Sequence, residues 1–241
     1  MKTIVLFGLM LLLLFSCTKE CREPAGEDIT EQRTVESFQK IEILDQFIIY
    51  LIQDSLSFVE LEGKENLIKQ IGTRVENGVL TLEDNTKCKV FKGYHKSTLY
   101  IHFKTLEYIG LQGNSELYSS DSLRLDYLFI NSQADITKWN LKLKTKKFEM
   151  QLHAVVGELE VSGISENVLL YSSGSNRCNF KNLVCQTANI NQSAMGQFDL
   201  TVQKSIDISV NKQGDFYCYG NPTIRKVKID ENATGSMHFL D

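Results

Sequence analysis

Proline is nearly missing from this chain: Pro24 and Pro222 are the only two in 241 residues. Turns must therefore be made by Gly, Asn, Ser and Asp, which tolerate tight corners and left-handed φ. Those residues do lie between the apolar segments. Histidine is also scarce. His95, His102, His153 and His238 are the whole set, and none has a Cys, His or Asp at metal-ligand spacing, so no metal site is expected. There is no Gly-x-Ser-x-Gly elbow, His-Glu-x-x-His helix or phosphate loop. A basic stripe is missing too. The net charge is −4, and the cluster Lys138, Lys142, Lys144, Lys146 and Lys147 reads as a solvated strand face or turn, which excludes nucleic acid as a partner. Asp121, Asp126, Asp135, Asp199, Asp207 and Asp215 are scattered, whereas a carbohydrate-active enzyme gathers its carboxylates on one face. No catalytic residue and no cofactor are expected.

What is present is alternation and a period. Hydrophobic residues make up 42% and charged residues 23%, which excludes wholesale disorder. In the C-terminal half, small or polar residues recur at Ser115, Ala134, Gly157, Asn176, Gly196, Gly214 and Gly235. Two residues after each come Leu117, Ile136, Leu159, Cys178, Phe198, Phe216 and Met237; four after each come Ser119, Lys138, Val161, Phe180, Leu200, Cys218 and Phe239. Period-two alternation means strands with one buried face. A longer period near twenty implies units that bury their faces against their neighbours. The predicted fold is all-β: a single-stranded β-helix or β-solenoid of about seven rungs over 106–241. A β-rich cap over 34–105 is expected to cover its first rung. In that segment Phe38–Ile43, Phe58–Glu62, Val79–Glu83 and Leu99–Phe103 alternate, Asn77-Gly78 marks a hairpin turn, and Lys64–Ile71 suggests one or two helical turns.

The N-terminus has another texture. Lys2 precedes an apolar run, Ile4 to Phe15, too short to span a bilayer comfortably. Residues 1–16 read as a secretory signal. Leu14-Phe15-Ser16-Cys17 resembles a bacterial lipobox, which makes Cys17 the expected lipidation site and the membrane a partner through a lipid anchor. Residues 17–33 are polar and read as a flexible tether. Without Cys17, five cysteines remain: Cys21, Cys88, Cys178, Cys185 and Cys218. Two strand spacings, about 9–10 Å, separate Cys178 from Cys218, beyond the ~7 Å limit for a disulfide. Both are expected to be buried free thiols.

From Phe38 to the end the chain resembles the head GIN domain family, also called putative auto-transporter adhesins. The resemblance rests on Gly63-Lys64-Glu65-Asn66-Leu67-Ile68, Thr73-Arg74-Val75-Glu76-Asn77-Gly78-Val79-Leu80, Tyr171-Ser172-Ser173-Gly174-Ser175 and Gly214-Asp215-Phe216-Tyr217-Cys218-Tyr219-Gly220-Asn221-Pro222. Ala134, Asn176 and Ala194 replace turn glycines of the pattern. The resemblance implies a β-helix-like fold and an adhesive role in lipoproteins of the Bacteroidetes type. The expected function is that of a lipid-anchored, non-enzymatic protein of the cell envelope, on the periplasmic side or exposed at the surface, with a protein or glycan ligand. The alternatives are a periplasmic structural or envelope-stress protein and, after it, a β-helix carbohydrate-active enzyme. Asp54-Ser55-Leu56 and Asp121-Ser122-Leu123 resemble an Asp-Ser-apolar glycosylation triplet, making Ser55 and Ser122 expected O-glycosylation sites.

Overall fold

The computed structural model describes residues 24–87 and 96–240. Among the described residues there are fifteen strands and one short helix. The first seven strands are β1 (Asp28–Thr34), β2 (Lys40–Ile43), β3 (Phe47–Gln53), β4 (Phe58–Lys64), β5 (Ile71–Glu76), β6 (Val79–Asp84) and β7 (Ser97–Phe103), with α1 (Glu65–Ile68) between β4 and β5. Then follow β8 (Tyr108–Leu111), β9 (Glu116–Ser119), β10 (Leu123–Ser132), β11 (Ile136–Ala194), β12 (Phe198–Val210), β13 (Phe216–Tyr219), β14 (Ile224–Ile229) and β15 (Met237–Leu240). Asn77 and Gly78, both at positive φ, turn β5 back onto β6 as an antiparallel hairpin.

The sheet corrects the expected architecture. All fifteen strands belong to one sheet, in the order β1-β4-β7-β3-β9-β11-β10-β8-β2-β6-β5, with β12 to β15 branching from β11. It mixes parallel and antiparallel neighbours and curls into a nearly closed barrel around one core, so the fold is not a single-stranded β-helix of seven rungs. Nor is there a separate cap: β3 lies between β7 and β9, and β2 between β6 and β8, inside the common sheet. The physical reason is that alternation fixes which residues face inward but does not choose neighbours. Ile49 and Leu51 of β3 are as fully buried as Leu117 of β9, and the two strands pair. Ordered structure also starts inside the segment read as a tether, since β1 pairs along its whole length with β4.

Many parallel neighbours are offset by about twenty residues. Leu123 faces Leu143, Cys178 faces Phe198, and Phe216 faces Met237. At ~3.3 Å per residue the 59 residues of β11 would stretch far beyond the domain, so the run must wrap the core and bond to itself. It does: Thr145 donates to Ser165, Ser173 to the Leu152 carbonyl, and Asn176 to the Val155 carbonyl. At one corner the crossings come very close. A Cβ on Gly157 would collide with the Thr137 carbonyl, one on Gly196 with the Asn176 carbonyl, and one on Gly214 with the Gly196 carbonyl.

Where that corner carries a side chain, a local bond replaces the space. Ser115 Oγ donates to the Asp45 carbonyl at 2.8 Å and accepts from Phe47 N–H at 2.9 Å. Thr137 Oγ1 donates to the Ser115 carbonyl and accepts from Trp139 Nε1 at 2.8 Å. The corner column is thus Ser115, Thr137, Gly157, Asn176, Gly196, Gly214 and Gly235, with Thr137 in place of the expected Ala134. The displacement matters. Leu117 pairs with Trp139, which is 1% exposed, while Ile136 is 60% exposed and Lys138 faces outward. Elsewhere the inward columns hold, and Phe198 packs its ring 5.1 Å from Phe180 and 5.2 Å from Phe216.

Cys178, Cys185 and Cys218 are buried free thiols, and burial raises Cys185 to about 12 and Cys218 to about 11. Cys17, Cys21, Cys88 and the signal segment lie outside the described residues.

The register generates a stability test. Phe198→Ala and Trp139→Ala should each cost about 3–5 kcal/mol in urea unfolding, as buried aromatic truncations do. Ile136→Ala should shift stability by less than about 0.5 kcal/mol. A large loss at Ile136 with none at Trp139 would overturn the corrected column.

Candidate functional site

Parallel register turns single residues into ladders, because outward side chains on successive strands stand over one another. On the outer wall formed by β7, β3 and β9 the ladder is aromatic. Tyr100 pairs with Tyr50 and Tyr50 with Tyr118. Their ring centroids are 5.1 and 5.2 Å apart and nearly parallel. The hydroxyls are tied down by carboxylates: Tyr100 donates to Glu62 and Tyr118 to Glu116 at 2.7 Å.

Lys96 Nζ sits 2.9 Å from the other oxygen of Glu116. That bond first, and Tyr118 second, hold the Glu116 carboxyl below its ordinary value. Partial burial, then Glu116, pushes Tyr118 up to about 12. The phenol is therefore neutral at any physiological pH, and the ring is fixed in one orientation.

Beyond Tyr118 the ladder drops. Asn140 stands directly opposite Tyr118. Glu160 and Asn179 follow within β11 at offsets of 20 and 19 residues (160 − 140 and 179 − 160). In the neighbouring column Glu116 faces Lys138, and Glu158 and Arg177 follow at offsets of 20 and 19 residues (158 − 138 and 177 − 158). Short side chains beside a tall ring leave a groove of about 480 Å³ lined by Tyr118, Lys138, Asn140, Glu158, Glu160, Arg177 and Asn179, with Trp139 and Leu159 beneath. Past Asn179 the next residue in the column, Asp199, is nearly buried, and Gln197 Nε2 donates to both its carboxylate oxygens at 3.0 and 2.9 Å. The ladder rises again at Tyr217, stacked on His238 at 4.6 Å.

The residues singled out in the sequence fall elsewhere. His102 lies between Asp54, 3.1 Å from Nδ1, and Glu60, 3.4 Å from Nε2, with Phe58 stacked on its ring. Ser55 N–H first, then His102, lower the Asp54 carboxyl. His153 rests against Tyr171 on another face, and His95 is outside the described residues. Among the described residues no group of three His, Cys, Asp or Glu is placed to hold a metal. The lysine cluster is spread around the curl: Lys146 pairs with Asp126, Lys147 with Glu149, and Lys138 enters the groove. Asp207 lies 4.0 Å from Lys226, and Asp215 accepts from Ser236 N–H. Ser55 and Ser122 are both exposed. The groove itself was hidden in the sequence by the misplaced second row: with Ile136 taken as inward, Lys138 also counted as inward and Asn140 never fell beside Tyr118.

The structure is thus a curled all-β sheet with an open polar groove on its outer wall. Residues 37–222 match the family described as Putative auto-transporter adhesin, head GIN domain, and the chain belongs to that family. Its structure is similar to that of a putative adhesin from Bacteroides fragilis (22% identity, TM-score 0.81, covering 90% of this chain and all of that one). It also resembles a putative lipid binding protein from Parabacteroides distasonis (16%, TM-score 0.63, 90% and 98%) and a putative adhesin from Parabacteroides merdae (15%, TM-score 0.59, 90% and 97%). At these identities the likeness shows the fold. No curated protein matches the chain.

The electrostatics can be checked directly. Because its folded value is lowered, the Glu116 carboxylate stabilises the fold above its unfolded value near 4.5, and that contribution is lost as pH falls through the folded value. Lys96→Ala should raise the Glu116 midpoint in a carboxyl-detected NMR titration. An unmoved midpoint would show that Lys96 does not set it.

Proposed function

We propose that the chain is a lipid-anchored, non-enzymatic binding module of the bacterial envelope that presents the Tyr118 groove to another surface. The observation that carries this reading is the groove: a rigid ring wall beside a floor of polar side chains, built on strands rather than loops. Sites on paired strands keep their geometry without ligand, which lowers the entropic cost of binding. Family membership supports an adhesive role, and the lipobox-like Leu14-Phe15-Ser16-Cys17 supports the anchor. Among the described residues no helix is long and apolar enough to cross a membrane. A multiply acylated Cys17 would hold the protein at a bilayer with no such helix.

Cys17→Ser should move the protein from the membrane fraction to the soluble fraction. Retention on membranes after high-salt washing would contradict the anchor.

The two Asp-Ser-Leu triplets belong to the same reading. A bulky sugar needs an open hydroxyl. Ser55 sits in the exposed bend before β4, with Leu56 beside it 68% exposed, and Ser122 sits in the exposed turn before β10. O-glycans on Ser55 and Ser122 should add mass to the native protein that disappears stepwise in Ser55→Ala and Ser122→Ala. A native mass equal to the mature chain plus lipid would contradict them.

A further inference from the structure

We propose that the Tyr118 groove is a binding site for a neutral oligosaccharide; this rests on the binding-module reading and names its ligand class.

The first observation is chemical composition. The groove offers one flat aromatic face and, on its floor, two carboxamides. The face of Tyr118 turned away from Tyr50 looks across Asn140 into the groove, because Asn140 is its register partner on the far side. An aromatic face carries negative charge density and attracts the weakly positive C–H groups of a pyranose ring. Asn140 and Asn179 each supply two donors and an acceptor, a pattern suited to vicinal hydroxyls.

The second observation is that these groups are uncommitted. Among the described residues no hydrogen bond or ion pair engages the side chains of Asn140, Glu158, Glu160, Arg177 or Asn179, and Lys138 acts only at longer range on the facing Glu116. Elsewhere on the outer surface polar side chains satisfy one another. Thr187 donates to Asn167, Asn211 to Asn191, and Gln197 to Asp199. Two other grooves, which share no lining residue with this one, contain several of those internally bonded residues. This one presents its polar atoms outward.

Charge and shape select the class. Lys138 and Arg177 are balanced by Glu158 and Glu160, so the lining carries two charges of each sign and no net charge. A polyanionic chain would meet two carboxylates, and a cationic one two cations. A protein partner is disfavoured because interface cores exclude most charges and need apolar anchors. None of the large exposed apolar side chains, such as Ile136, Val156 or Ile164, lines the groove. From Tyr118 to Asn179 the floor spans three strand spacings, about 14 Å, which suits a short run of sugar rings. Asp199 and its Gln197 cover close the far end.

The test uses the intact chain and linear neutral tetrasaccharides of glucose, mannose, galactose and N-acetylglucosamine, with a heparin tetrasaccharide as the charged arm. Binding is read by saturation-transfer NMR and by the fluorescence of the single tryptophan, Trp139, beneath the floor. At least one neutral tetrasaccharide should bind. Tyr118→Ala should weaken it about tenfold, as should the pair Asn140→Ala with Asn179→Ala. Tyr171→Ala, on another face, should leave it unchanged. Binding of none of the neutral sugars, binding of heparin alone, or neutral binding indifferent to Tyr118→Ala and to the Asn pair would each overturn the proposal. Circular dichroism of each variant separates lost binding from lost folding. Failure here with Cys17-dependent membrane retention intact would remove the glycan and leave the anchored module.

Discussion

Close approach of the backbone to itself is the constraint on which this structure depends. At one corner of the curled sheet each crossing of the chain lies against the carbonyl of the crossing before it, at Gly157 over Thr137, Gly196 over Asn176 and Gly214 over Gly196. There is no room for a Cβ at those points. The crossings that carry one show how it is accommodated. Asn176 is buried, accepting from Ser172 Oγ and donating to the Val155 and Ser173 carbonyls, so its polar atoms keep hydrogen-bond partners inside the fold. Ser115 and Thr137 do the same through the Asp45, Phe47 and Trp139 bonds, and thereby tie β3 to β9 and β11.

Once that corner fixes where each crossing begins, everything that follows it is in register. Inward, ring meets ring: Phe180 meets Phe198 edge to face, and Phe198 stacks on Phe216 in the core. Outward, the same register builds the tyrosine ladder and then, where the sequence offers Asn, Glu and Asn in its place, the groove. Shape and chemistry of the candidate site are thus consequences of side-chain size along one column. The scaffold does not need to be distorted to make the site.

Much of this was legible in the chain. Alternation revealed the strands and their buried faces; Asn77-Gly78 marked its hairpin; Cys178, Phe198, Phe216 and Met237 were found in one column and do pair in that order. Two things were not legible. The partners of β2 and β3 were hidden, because an alternating strand fits any parallel neighbour with the same inward face, and only the fold selects β8 and β9. The second row was misread because its corner residue is Thr137, a branched polar residue that passes for a strand position, while Ala134 looked like the small corner. That error of three residues exchanged Trp139 for Ile136 and concealed the Asn140 floor. The buried hydroxyl network of Ser115 and Thr137 that settles the matter has no signature in composition or period.

The central claim is that the packed corner sets the register on which both core and groove rely. Gly157 is the place to ask, since it follows the crossing that carries Lys138 and Asn140 and precedes Glu158 and Glu160. In urea unfolding, Gly157→Ala should lose about 1–3 kcal/mol or more, because the added methyl is driven into the Thr137 carbonyl. Glu158→Ala, one residue on and exposed, should change stability by less than about 0.5 kcal/mol. An unchanged midpoint for Gly157→Ala would show that the crossings are not in contact there, and the register drawn for the groove would fall with them.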